Sequence, residues 1–256
     1  MRTIVVSGGS SGIGRATVER FARAGDRVVN LDVTEPADIP GGLVSWIRCD
    51  IADWQAVDEA LARVHRDHGI PDVVIANAGI SVRHGVLDIA ERDARRVVDV
   101  NLLGTLGLWR GAARLMAGRG SGVLLATASV NGRRGYPNYA DYNATKAGVV
   151  ALTQTFALEL SPAVRVACVS PGAVLTPMQL AEYTEEMLAD TNARIPAGRH
   201  ADPAEIAAAF YYLASPEAAF LTGQELVIDG GETAGATTAT WGTAGPHPEA
   251  RTVRAA

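Results

Sequence analysis

Tyr142 and Lys146, in the stretch "YNATK", put a phenol and an ammonium group four residues apart inside a segment that otherwise reads as helix. At that spacing two side chains share one helix face. A free tyrosine ionises near ~10, so a phenol acting as a general base around neutrality needs roughly 4 kcal/mol of preference for its charged form. A cation on the same face pulls in that direction through space. An isolated Tyr-x-x-x-Lys is usually an inconsequential neighbour pair, so the surrounding elements must decide whether this one does chemistry.

Those elements follow a regular pattern. Short β-branched runs, "TIVVS", "RVVNLD", "LVSWIRC", "DVVIAN", "GVLLATAS", "RVACVSP" and "ELVID", alternate with longer amphipathic stretches at 12–24, 53–68, 91–117, 140–160 and 202–214. Alternating strands and helices imply parallel pairing with helices on both faces of one sheet. The pattern predicts an α/β fold, a single doubly wound Rossmann-type domain with a seven-stranded parallel sheet, over residues 1–234. Residues 174–200 form a long polar, Met-containing insertion of the kind that makes a lid or binding loop, and the tail 235–256 lacks periodicity.

The composition is ordinary for a globular chain of 256 residues, 48% hydrophobic and 20% charged, with a net charge of −5. That balance gives no electrostatic reason to expect nucleic acid or an anionic membrane as partner. The two cysteines, Cys49 and Cys168, sit in apolar runs and read as buried thiols, and the five histidines form no ligand-like cluster, so no metal is expected. The N-terminus runs straight into a strand and no apolar run is long enough to span a membrane, which predicts a soluble cytoplasmic protein with a small-molecule substrate.

"VVSGGSSGIGRAT" closes the first strand and opens the first helix with Gly8, Gly12 and Gly14. Glycines let the backbone turn tightly and approach a pyrophosphate, which a helix N-terminus then binds through free N–H groups and a favourable dipole. Asp32 ends the second strand about twenty residues further on, where a carboxylate accepts from both ribose hydroxyls of an adenosine and repels a 2′-phosphate. No Arg or Lys flanks it in "VVNLDVTEP", so NAD(H) is expected over NADP(H).

With these motifs the sequence resembles the short-chain dehydrogenase/reductase family over roughly residues 2–234. The family's glycine loop appears as "SGGSSGIG", Ser7 replacing the usual Thr and keeping a hydroxyl to tether the loop, with Ser11, Ile13 and Gly14 following. "CDIAD" places Asp50 and Ile51 at the family's adenine pocket, and "NAG" supplies Asn77, Ala78 and Gly79 after the fourth strand. Asn101, Ser129, Tyr142 and Lys146 match the catalytic four, while "SPGAVLTP" supplies Pro171, Gly172, Val174 and Thr176 on the nicotinamide side.

The resemblance implies a division of labour. Tyr142 takes a substrate hydroxyl proton while hydride leaves carbon for the nicotinamide, Lys146 helped by the positive nicotinamide ring lowers the phenol, Lys146 also holds the nicotinamide ribose, Ser129 holds the substrate oxygen, and Asn101 keeps a water behind Lys146. It also implies a homotetramer built through the 91–117 and 140–160 helices and the last strand. The expected function is NAD-dependent oxidation of a secondary alcohol, since "IDGGETAG" and the middle loop resemble members that oxidise cyclic specialised metabolites. The alternatives are a ketoreductase running the reverse reaction and a silent dinucleotide-binding sensor; the intact catalytic four count against the second. Asp141 is expected to be a solvated neighbour, Arg133 and Arg134 to be exposed loop residues, and Gly135, Pro137 and Tyr139 to shape the pocket wall; Arg83 and His84 are assigned no role.

Overall fold

The computed structural model describes residues 1–38 and 42–235; most of the expected tail, from 236 onward, lies outside the described residues. Seven strands, β1 (Thr3–Ser7), β2 (Arg27–Asp32), β3 (Val44–Arg48), β4 (Val73–Ala76), β5 (Gly122–Thr127), β6 (Val164–Pro171) and β7 (Gln224–Ile228), form one sheet in the order β3-β2-β1-β4-β5-β6-β7. Every neighbouring pair is parallel. β1 and β4 are apolar runs with every residue buried, as strands covered on both faces must be.

Alternation along a strand sends successive side chains to opposite layers. Ile4, Val6 and Ile75 meet α1 (Gly12–Arg23) and α8 (Pro203–Leu213), where Phe21 and Phe210 are fully buried. Val5, Val74 and Leu124 meet the other layer, where Val57 and Leu61 of α2 (Trp54–His68), Leu108 and Trp109 of α4 (Gly104–Arg119) and Val149 of α5 (Ala140–Leu160) close the core. The two cysteines are buried free thiols. Among the described residues no helix is long and apolar enough to cross a membrane.

The chain runs outward from β1 to β3 and then returns to start again at β4 on the other side. This reversal splays the connections leaving β1 and β4 in opposite directions and opens a crevice at their carboxyl ends, the usual ligand position in such sheets.

Two stretches depart from expectation. The continuous helix expected over 91–117 is interrupted: α3 (Glu91–Val98) passes through a π turn at Asp99–Leu103 before α4 begins. The insertion at 174–200 contains two helices rather than an irregular loop, α6 (Pro177–Glu182) and α7 (Glu185–Arg194). Their start signals are local: Thr176 and Thr184 accept from the backbone N–H of Gln179 and Met187, a Pro opens α6, and Glu185 and Glu186 fill the first turn of α7.

Candidate functional site

The turn from β1 into α1 is built by close approach. Gly8 has φ +68°, and a Cβ there would stand 2.7 Å from the Ala78 Cα; one on Gly14 would stand 1.9 Å from the Gly8 carbonyl oxygen. Only glycine fits either place. The Ser7 hydroxyl accepts from the N–H groups of Asn77 and Ala78, both at 3.1 Å, so serine tethers the loop as a threonine hydroxyl would. Asn77 in turn donates to the carbonyls of Ser7 and Gly8, both at 3.2 Å, and accepts from the Thr127 hydroxyl at 2.9 Å.

Ser11 caps α1 without a side-chain hydrogen bond, leaving the first-turn N–H groups uncapped by it. Gly8, Ser11, Gly12 and Ile13 line an open cleft of about 280 Å³ that continues to Asp32, Asp50 and Ile51 at one end and to Asn77, Ala78, Gly79, Tyr142, Lys146 and Thr176 at the other. An uncapped helix start, a glycine cradle and a terminal carboxylate suit the pyrophosphate and ribose of a dinucleotide. Asp32 accepts from the N–H groups of Ser10 and Thr34, both at 3.0 Å, which fixes its carboxylate at the end of β2. The sheet register sets exposed Arg48 beside Asp32, a neighbour that "VVNLDVTEP" does not contain.

Five residues expected at the cofactor, Ser7, Gly14, Pro171, Gly172 and Val174, are not among those lining this cleft. Ser7 and Gly14 are buried supports of the turn, Pro171 ends β6 in register with Ile228, and buried Val174 bridges to Ala201. Gly172 faces a neighbouring cavity, and a side chain there would collide with Asp229 and Glu232.

At the other end, Ser129 follows β5 and accepts from the Asn131 N–H at 3.1 Å, while Tyr142 and Lys146 occupy the first turns of α5. Lys146 is buried; its Nζ donates to the Thr127 carbonyl at 2.7 Å and lies 5.4 Å from the centre of the Tyr142 ring. Burial lowers the amine to about 8. Burial also raises the Tyr142 phenol to about 12, with its hydrogen bond to Ser129 pulling it down and the Glu182 charge pushing it up.

The expectation gave the lowering of the phenol to Lys146 helped by the positive nicotinamide ring, and burial of the phenol sets what those charges must overcome. A unit charge about 5 Å away is worth about 3 kcal/mol at an effective dielectric of 20. Moving a phenol from about 12 to neutrality needs about 7 kcal/mol. Desolvation wins until another positive charge is added.

Asn101 sits in the π turn, buried, with its carboxamide oxygen accepting from the Ile80 N–H at 2.8 Å. Its amide donates to the Ile80 carbonyl at 2.9 Å and to the Thr145 hydroxyl at 3.3 Å. The carboxamide therefore ties the segment after β4 to α5 one residue before Lys146.

A second cavity of about 110 Å³ adjoins Ser129 and Tyr142 and runs beneath α6 and α7. Its walls hold carboxylates that were not singled out from the sequence. Glu182 accepts from the Ser81 hydroxyl and from the Tyr139 hydroxyl, the latter at 2.6 Å. Glu232 accepts from Arg134 and from the Tyr136 hydroxyl, both at 2.6 Å, and burial with that bond raises Tyr136 to about 12. Tyr139 shapes this wall as expected, whereas Gly135 and Pro137 do not reach it.

Arg134 is thus committed to Glu232, and Arg133 leans towards Glu225 at 3.9 Å. Asp141 is a buried residue, not the expected solvated one: it accepts from the Tyr142 N–H at 2.8 Å, and its other oxygen faces the His84 ring at 3.2 Å.

A family model described as enoyl-(acyl carrier protein) reductase matches residues 8–233. The cis-4-hydroxycyclohexanecarboxylate dehydrogenase of Sinomonas cyclohexanicum is 38% identical over 242 residues, covering 91% of this chain and 97% of that protein. A 3-oxoacyl-[acyl-carrier-protein] reductase of Thermotoga maritima is 34% identical, covering 90% and 97%. The ligand-free aldohexose dehydrogenase of Thermoplasma acidophilum superposes with a TM-score of 0.88 at 28% identity, over 93% of this chain and 96% of that one.

The chain belongs to the short-chain dehydrogenase/reductase family. It is accordingly an oxidoreductase of the class that works on hydroxyl groups with a nicotinamide dinucleotide.

Proposed function

We propose that this protein is an NAD(H)-dependent dehydrogenase that oxidises a secondary hydroxyl of a small, cyclic specialised metabolite to a ketone. The observation that carries this reading is the meeting of Ser129 and Tyr142 in the wall of the second cavity, with Tyr142 also lining the dinucleotide cleft. One phenol thereby faces both compartments.

Gly12 and Ile13 hold the pyrophosphate, Asp32 the adenosine ribose, and Asp50 and Ile51 flank the adenine. Thr176 closes on the nicotinamide side, its methyl 3.4 Å from where a Gly12 Cβ would be. Ser129 fixes the substrate oxygen by hydrogen bonding. Tyr142 takes the hydroxyl proton, and Lys146 supplies positive charge beside it. When bound, the oxidised nicotinamide supplies the hydride acceptor and a second positive charge. Asn101 acts as a positioning residue, holding Ile80 and Thr145 in place around Lys146.

The preference for NAD rests on Asp32, whose charge would repel a 2′-phosphate. A second reading, NADPH-dependent ketone reduction, draws on exposed Arg48 beside Asp32 and on the neutral phenol that burial maintains, which is a ready proton donor. Absorbance at the reduced nicotinamide band discriminates the two, using NAD⁺ and NADP⁺ against cyclic and linear secondary alcohols at mildly alkaline pH. Turnover confined to NAD⁺ is the expected result. Comparable kcat/KM with both cofactors would remove the role given to Asp32, and turnover only of ketones with NADPH would favour the second reading.

A further inference from the structure

The second cavity continues past Tyr136 and Tyr183 into a pocket of about 150 Å³ under α7, lined also by Asp190, Arg194 and Glu232. The ionic groups of the combined space are unevenly matched. Arg134 is paired with Glu232 and Arg194 with Asp190, at 2.6 and 2.7 Å, whereas no arginine or lysine pairs with Glu182 among the described ion pairs. Arg83 stands against the Tyr183 ring at 5.8 Å and lines neither cavity, and Lys146, 5.4 Å from the centre of the Tyr142 ring, likewise lines neither.

An ionised carboxylate offers about four acceptor positions. Tyr139 and Ser81 use two on Glu182, and Arg134 and Tyr136 share one oxygen of Glu232. Both carboxylates keep acceptor capacity on the space next to Ser129 and Tyr142.

We propose that the substrate is a neutral polyol, whose hydroxyls beyond the reacting one donate to Glu182 and Glu232, and that the cavity disfavours substrates bearing a carboxylate. This rests on the oxidation of a secondary hydroxyl proposed above and names the class of molecule that undergoes it. Hydroxyl donors to a carboxylate, half-buried Glu182 or buried Glu232, form charge-assisted hydrogen bonds, the stronger kind. A substrate carboxylate entering the same space meets the unmatched negative charge of Glu182 while Arg134 and Arg194 are already paired, and like charges repel. The relative that acts on a hydroxycyclohexanecarboxylate therefore points to a ring of similar size but the wrong charge for this cavity.

The test compares three rings of one size with NAD⁺: cyclohexanol, cis-cyclohexane-1,4-diol and cis-4-hydroxycyclohexanecarboxylate. We expect kcat/KM to be highest for the diol, at least about tenfold above the carboxylate, and Glu182→Gln to narrow that gap by about threefold or more. Titration calorimetry of the same compounds into wild-type enzyme saturated with NADH ranks them independently of turnover and of how the variant folds. Diol binding ahead of carboxylate without turnover would sink the proposed reaction and keep the polyol inference. A carboxylate that equals or beats the diol, or no binding by any of the three, would overturn the inference even where other alcohols are oxidised.

Discussion

At the scale of single residues, the site depends on two ionisable groups, buried Lys146 and half-buried Tyr142, that desolvation pushes towards neutrality. Tyr142 stands at about 12 and Lys146 at about 8, so the phenol holds its proton until positive charge accumulates beside it. Removing that hydroxyl should remove the reaction and little else. Tyr142→Phe is expected to lower kcat by about a thousandfold or more, the scale of losing a general base, while NADH affinity by fluorescence titration changes by less than about twofold. A Phe variant that keeps wild-type kcat would end the mechanism. Lys146 has a separate signature in stability. Its native value of about 8 lies below the unfolded 10.5, so between those limits the unfolded chain binds more protons and stability rises with pH. Below about 8 the full burial penalty applies. Lys146→Met escapes the penalty, so its advantage in Tm over wild type should shrink between about pH 7 and about pH 9.5, by the equivalent of up to about 2 kcal/mol. Groups shared by both proteins cancel in that difference. A gap that widens with pH would mean that Lys146 is not a desolvated amine.

At the scale of elements, the π turn and the α6–α7 segment do most to position the site. A single extra residue in a helical turn re-aims the side chain that follows, and such turns recur at functional sites. Here the turn delivers Asn101 to Ile80 and Thr145, with three hydrogen bonds from one carboxamide. Asn101→Ala leaves the half-buried Ile80 N–H and carbonyl without these partners, a loss of about 1 kcal/mol. We expect a lower Tm and a kcat reduced tenfold or more, with KM for NAD⁺ altered less than kcat, because Asp32 holds the adenosine end of the cleft and is not held by the clamp. A variant that loses NAD⁺ affinity and keeps kcat would place Asn101 in cofactor binding instead. The α6–α7 segment is held differently: neither helix buries a residue, and Glu182 bridges it to Ser81 and Tyr139. Few buried apolar contacts and a polar latch are what a segment that opens for substrate requires.

Over the whole molecule, the nucleotide half was legible in the sequence because its signals are local. Gly8, Gly14 and Asp32 lie within one helix and one strand of each other, the glycines required by the backbone of the turn into α1 and the aspartate ending β2. The substrate half was not, since Glu182 meets Ser81 across 101 residues and Arg134 meets Glu232 across 98, and no periodicity encodes pairings at that range. The His84–Asp141 contact was hidden for the same reason. Assembly lies between these cases. Phe220, just before β7, is fully exposed, and Leu158 on α5 is 84% exposed. Other large apolar side chains, Val86 and Leu87 among them, are also exposed, so what singles out Leu158 and Phe220 is their place in the fold. They fall on the two regions through which the family resemblance implies a homotetramer: the α5 helix and the last strand. A light-scattering mass about four times 26.7 kDa is therefore expected at working concentration. Leu158→Glu should separate the α5 contact and leave dimers, because a charge placed in an apolar interface is desolvated without a partner. Phe220→Glu should give dimers of the other kind, and the double variant monomers. Wild-type protein running as a 26.7 kDa species would contradict the assembly and leave both side chains as bare surface.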